Sequence, residues 1–275
     1  MSTLEASYYA PPAAQRVPRQ AWRNGCNLLG ERTLAEEVPV AFSYDGTAHA
    51  VLMATPEDLE DFAIGFSCTE GIISAPAEIA ELTVVSVADG IVLRMWLTGD
   101  GSDAFAARRR RFVGPAGCGM CGLESLAEAN RAIPMASCDL RVRQQDIAEA
   151  VAALPARQQL NMQTRAVHAA AFWRSGKSLV LREDVGRHNA LDKLAGALLR
   201  TGRSAAKGII VLSSRISIEL VQKAAMMGAA LIVGVSAPTA LAVRTADMAG
   251  ITLVGVARDD GFEVFTHPER ITRYW

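Results

Sequence analysis

The feature that most constrains this chain is a device repeated along its C-terminal half: an apolar strand, a helix, then a glycine suited to the left-handed conformation that ends a helix. It predicts strand 178–182, helix 189–201 and Gly202, then strand 208–213, helix 217–227 and Gly228. Strand 230–235, helix 238–249, Gly250 and a last strand at 251–256 follow. Strands alternating with helices of this length imply an α/β fold, a mainly parallel sheet with helices on both faces. Ligands of such sheets sit beyond the C-terminal ends of the strands. The same pattern disposes of a membrane span. Residues 224–243 carry no charge, but Gly228 and Ser236 to Thr239 divide them into a helix end, a short strand and a new helix start.

Upstream the pattern is less regular. VPVAFSYDG (38–46) and HAVLMA (49–54) predict a hairpin, Pro56 opens an acidic-tipped helix, and strands follow at 82–87 and 91–97. Residues 20–105 are thus expected to form a smaller α+β unit, and 138–275 the α/β domain. Residues 1–19, with Pro11, Pro12 and Pro18 and no apolar run of signal-peptide length, read as a disordered tail. The intervening 106–137 read as a mobile loop. With 28 Lys plus Arg against 29 Asp plus Glu, nothing global favours nucleic acid or an anionic membrane, so any basic site is local. The cysteines (26, 68, 118, 121 and 138) are too sparse for a stapled secreted scaffold, and a reducing compartment, the cytoplasm, is expected.

The loop carries the reactive chemistry. Cys118 and Cys121 form a C-x-x-C pair among Gly114, Gly117, Gly119 and Gly122. Arg108 to Arg111 precede it, and a helix start follows at 123–130. Both would favour the thiolate, the nucleophilic form. Structural zinc would need two more ligands, and no second C-x-x-C or closely spaced histidine pair exists. A zinc deaminase would need an H-x-E upstream, which is missing. The formal G-x-G-x-x-G at 117–122 follows an arginine run, not a strand, and so is not a dinucleotide fingerprint. Thiol–disulfide exchange stays open. The arginines read either as a solvated helix face or as a clamp for a pyrophosphate.

A second cluster, EDVGRHNALDK (183–193), lies between a strand end and a helix start, where Arg187, His188 and Asn189 would face a ligand and free N–H groups could meet phosphate. Asp192 and Lys193 are expected on the exposed face of that helix. His168, before an apolar stretch, reads by itself as a core histidine.

Together, GCGMCG, EDVGRHNALDK, SSRISIELVQKAA (213–225), SAPTALAV (236–243) and ITLVGVARDDGFEVFTHPERI (251–271) resemble the formate dehydrogenase accessory sulfurtransferases, the FdhD family. EEVPVAFSYDG and EDFAIGFSCTEGII are similar to that family too, so the likeness runs from about residue 35 to the end. The resemblance implies a cytidine-deaminase-like three-layer α/β/α domain and a sulfurtransferase that carries a persulfide on Cys118, with Cys121 as its partner thiol. It implies a cysteine desulfurase as donor and, as acceptor, molybdenum bis(molybdopterin guanine dinucleotide) bound for the formate dehydrogenase catalytic subunit. No metal held by protein side chains and a homodimer are also implied. Val256, Ala257, Arg258, Asp259, Asp260 and Gly261 would bind the guanine nucleotide, and His168, Arg187, His188 and Arg215 would join them. A thiol–disulfide oxidoreductase and a chaperone that merely protects the cofactor are the alternatives. The chain departs from the family pattern at Arg165 and Ala166, where glycines are common, at Ser214 for a frequent glycine, and at Val256 for a common aromatic residue.

Overall fold

A computed structural model describes residues 10–99, 102, 133–136 and 139–272. The repeated device folds as its pattern requires. β10 (Ile209–Leu212) leads to α5 (Ile218–Met226), β11 (Leu231–Gly234) to α6 (Ala240–Met248), and β12 (Thr252–Arg258) follows. Gly202, Gly228 and Gly250 all have φ between 64° and 72°, the left-handed conformation that releases each chain end from its helix. The uncharged stretch at 224–243 is thereby a helix end, a buried strand and a helix start. Among the described residues no helix is long and apolar enough to cross a membrane.

The sheet is more mixed than the repeat alone suggests. β8 (His168–Trp173), β9 (Val180–Asp184) and β13 (Gly261–Thr266) complete the order β13-β12-β11-β10-β8-β9. Only β10, β11 and β12 run parallel; β8, β9 and β13 pair antiparallel at the two sides. The reason is connection length. β8 to β9 and β12 to β13 are short hairpins, which can only return antiparallel, whereas α5 and α6 are the crossovers that parallel pairing needs. Alternation along β10 sends Ile210 and Leu212 to one core and Ile209 and Val211 to the other. The first core is capped by α4 (Arg187–Arg200), α5 and α6, and the second by α2 (Gln144–Ala152) through Ile147 and Ala150. Helices therefore cover both faces of the sheet.

The smaller unit is a four-stranded sheet, β4-β3-β6-β5, built from β3 (Val38–Tyr44), β4 (Thr47–Ala54), β5 (Ile79–Val87) and β6 (Gly90–Leu97). Asp45 and Gly46 both take positive φ, as a two-residue hairpin turn demands. Pro56 does not open the helix. Thr55 is held instead: its N–H donates to Asp184 and its carbonyl accepts from Lys193, so α1 (Leu59–Thr69) begins only after Asp58. Residues 14–19 do not belong to a tail either. Ala14–Arg23 (β1) pairs along its whole length with Cys26–Ala35 (β2) through a turn at Asn24 and Gly25, both at positive φ.

α1 joins the two units by crossing α4 at backbone contact. A Cβ on Gly65 would lie 1.7 Å from the Asp192 carbonyl oxygen, and one on Gly196 would lie 1.9 Å from that of Asp61. The seam so formed is rich in buried charge. Asp192 and Lys193, expected on an exposed face, are 1% and 0% exposed. Lys193 bonds Asp184 at 2.7 Å, and Lys223 lies 2.6 Å from Glu70 and 3.0 Å from Asp192. Arg182 and Arg200 both clamp Asp61, at 2.6 and 2.8 Å. The face of α4 that carries these charges is exposed in the isolated helix but covered by α1, which periodicity within one segment cannot reveal.

Candidate functional site

The C-terminal ends of the three parallel strands are laced together by backbone bonds. Ser213 donates its N–H to Ala169 and accepts the Ala169 N–H on its hydroxyl at 2.8 Å. Thr239 donates to Ile216, and Val256 donates to Ser236 at 3.2 Å. The loops 213–217 and 235–239, each linking a strand to a helix, also form an isolated bridge between Ile216 and Pro238. This shelf is the ligand-facing edge expected of such a sheet.

The structure brings most of the expected residues to that edge. His168 opens β8 opposite Asp184 in register. Arg187 and His188 occupy the first turn of α4, after the Gly186 N-cap, and Arg215 stands exposed in the loop after β10. Burial and the Arg187 charge push the His168 imidazolium down, against the pull of Asp184. Burial, then Arg187 and Lys223, lower His188 further, to about 4, so its ring is neutral at neutral pH. None of the guanidinium groups of Arg187, Arg215 and Arg258 is ion-paired with a carboxylate among the described residues, so their charge remains for an anion. Asn189 faces the seam: its amide donates to Met53 and to Asp184.

Val256 to Gly261 run from the end of β12 into the turn before β13. Ala257 is buried, Arg258 to Gly261 are exposed, and Arg258 pairs with Gly261. A register shift interrupts the ladder between Gly255 and Arg258, and within it Val256 is held at φ 52°. For a β-branched side chain this is a sterically costly conformation. Arg165, at the C-cap of α3 (Gln159–Thr164), has φ 59°, which gives a physical reason for glycine to suit that position. Ser214 turns its hydroxyl onto the Arg215 carbonyl.

Cys118, Cys121 and Arg108 to Arg111 lie outside the described residues. Among the described residues no group of three or more His, Cys, Asp or Glu could hold a metal ion. Two residues at the shelf escaped the sequence reading, Ser217 at the N-cap of α5 and Glu219 in its first turn. The local pattern, a Ser-x-Glu at a helix start, is that of many ordinary helix N-termini and does not single them out.

The FdhD/NarQ family profile matches residues 35–272. The chain is 52% identical over 271 residues to a sulfur carrier protein FdhD of Agrobacterium fabrum, covering 98% of both proteins. It is 43% identical to that of Cupriavidus necator, covering 95% of this chain and 91% of the relative. The crystal structure of a proposed formate dehydrogenase accessory protein from Desulfotalea psychrophila superposes with a TM-score of 0.75 at 27% identity, covering 95% of this chain and all of that one.

Proposed function

We propose, from the premise that the chain belongs to the FdhD/NarQ family, that it is a sulfur carrier serving formate dehydrogenase maturation. The observation that carries this reading is near full-length identity to proteins named as sulfur carriers. In the reaction we propose, the Cys118 thiolate attacks the outer sulfur of a cysteine desulfurase persulfide, giving Cys118–S–SH and returning the desulfurase thiolate. Attack by the Cys121 thiolate on the inner sulfur then expels hydrosulfide to the acceptor and leaves a Cys118–Cys121 disulfide, the two electrons coming from the thiol pair. A cellular thiol reductant then reduces this disulfide by exchange, itself becoming a disulfide, and restores both thiols.

The acceptor in this reading is molybdenum bis(molybdopterin guanine dinucleotide), a large polyanion, handed on to the formate dehydrogenase catalytic subunit. The shelf suits such a ligand. Arg187, Arg215 and Arg258 supply cationic charge, the N-terminus of α4 supplies free N–H groups, and His168, His188 and the segment from Val256 to Gly261 complete the edge. A cytoplasmic location and a homodimer belong to the same reading. The wholly cysteine-centred alternative, a disulfide oxidoreductase, would use the same thiols without the shelf.

Incubation with a desulfurase and cysteine is expected to add one sulfur atom to Cys118, read by mass spectrometry, and Cys118→Ala is expected to abolish formate dehydrogenase activity in cells. Reduction of insulin disulfides without any sulfur gain would make the protein an oxidoreductase. Full activity of Cys118→Ala would leave only a protective chaperone.

A further inference from the structure

The ribbon of β1 and β2 concentrates a charge that the chain as a whole does not carry. Residues 14–35 hold Arg16, Arg19, Arg23 and Arg32 against the lone Glu31, a net +3 in a chain whose total is −1. Arg16 reaches Glu31 only at 3.9 Å, Arg19 and Arg23 pair with no carboxylate among the described residues, and Arg19 keeps one guanidinium nitrogen without a hydrogen-bond partner. The ribbon is also apolar where it is most exposed. Trp22, Leu28 and Leu29, beside the turn, are 73%, 50% and 83% exposed. None of its residues is buried and no third strand joins it among the described residues; at its base Arg32 donates to the Thr164 carbonyl of α3. A two-stranded hairpin is at best marginally stable in water, so such a surface calls for cover.

The pattern of side chains selects the kind of cover. Alternation along the paired strands puts Trp22, Leu29 and Arg16 on one face, and Leu28, Arg19, Arg23 and Arg32 on the other. A flat protein surface covers one face of a ribbon, whereas a fluid medium covers both. A second copy docked ribbon to ribbon would set +3 against +3. A nucleic acid would meet the arginines and leave the leucines in water. An anionic bilayer surface answers both halves of the pattern. Its phosphates meet the guanidinium groups, whose stems lie along apolar neighbours, and its acyl boundary takes the leucines and Trp22, a residue favoured at that depth. The outer edges of the ribbon carry unpaired backbone groups that hydrocarbon cannot satisfy, so the ribbon rests in the headgroup layer and does not cross.

We propose that the β1–β2 ribbon is an attachment arm for an anionic lipid surface, with Trp22, Leu28 and Leu29 entering the interface and Arg16, Arg19, Arg23 and Arg32 on the lipid phosphates. The arm acts whether or not the chain carries sulfur.

Flotation of the full chain with vesicles tests this, using phosphatidylcholine alone or mixed with an equal part of phosphatidylglycerol. Wild type is expected to float with the mixed vesicles, less so as salt rises, and to stay behind with phosphatidylcholine alone. Arg19→Gln with Arg23→Gln is expected to weaken binding by roughly 30-fold, and Trp22→Ser with Leu29→Ser by roughly 10-fold or more. All four positions lie on the ribbon, away from the sheets, so both variants should fold and still take up a persulfide on Cys118. Wild type that ignores the mixed vesicles overturns the arm, as does binding that survives both double substitutions. Tighter binding to duplex DNA than to the vesicles overturns it in favour of nucleic acid. A wild-type dimer that Trp22→Ser with Leu29→Ser turns into a monomer, with no vesicle binding by either protein, gives the ribbon to a second copy instead. Each of these leaves the sulfur carrier standing, because the persulfide is measured separately.

Discussion

The seam between the units and the shelf at the strand ends lie on the two sides of α4, and they treat buried polar groups in opposite ways. At the seam, Lys193 at 0% exposure meets Asp184 at 0%, and Asp184 also takes bonds from Thr55, Gly186 and Asn189. At the shelf, the half-buried His188, Ser217 and Glu219 each keep a buried atom, Nε2, Oγ and Oε2, outside good hydrogen-bond geometry, with His188 Nε2 3.9 Å from Glu219 Oε2, and Arg187 and Arg215 form no ion pair with a carboxylate among the described residues. The same helix thus presents a satisfied face and an unsatisfied one. Completed networks hold a structure together, whereas incomplete ones at a strand end are where a ligand can bring the missing bonds.

The largest expected effect tests the satisfied side. Lys193→Met removes the cation and strands the Asp184 carboxylate in the core, and breaking a buried pair from one side costs about 3–5 kcal/mol. Urea unfolding should show a loss of that size. A loss below about 1 kcal/mol would mean that the seam charges are far better solvated than their burial implies, and the contrast with the shelf would fail.

How much of this was open to reading in the sequence follows from how local each cause is. Helix ends at Gly202, Gly228 and Gly250 are written within a few residues, and so was the Asp45–Gly46 hairpin. The β1–β2 ribbon was equally local, since Asn24–Gly25 is a strong hairpin signal. The prolines at 11, 12 and 18 mask it, because a ribbon strand tolerates Pro18 where a tail pattern would also show proline. The seam was not readable, because Lys193 and Asp192 find Thr55, Thr69 and Lys223 as partners, all far away in the chain. Of the candidate site, Arg187 and His188 could be placed at a strand end from the pattern alone, whereas His168 and Arg215 came only with the family resemblance. Glu219 could not be told from an ordinary first-turn acid without the facing His188.

A smaller effect sharpens the contrast through pH, because one group on each side titrates with opposite sign. Burial raises Asp192 from 3.8 to about 6, with Lys223 and Thr69 opposing, so the folded state binds its proton first and stability grows as pH falls through that window. His188 is lowered from 6.5 to about 4, so the unfolded state binds its proton first and stability is lost as pH falls through that window. The two offset in the wild type. His188→Gln should remove only the loss, making the variant gain on the order of 3 kcal/mol relative to wild type between pH 7 and pH 4. Parallel stability curves for the two proteins would mean that the His188 ring is not desolvated at the shelf.

The smallest effect concerns strain rather than charge. Val256 at φ 52° costs roughly 1–2 kcal/mol that a glycine would not, and glycine gives back about 0.5–1 kcal/mol through the freedom of its unfolded chain. Val256→Gly is therefore expected to raise stability by about 1 kcal/mol or less, seen as a melting temperature a few degrees higher. The strain sits between Gly255, packed against Pro238, and the exposed turn at Arg258 to Gly261, in the segment proposed to meet the nucleotide. If the strained backbone is what aims that turn, the stabilised variant should bind GDP more weakly than the wild type. A variant that is more stable and binds equally well would separate Val256 from the site, leaving its conformation a consequence of the bulge in β12 alone.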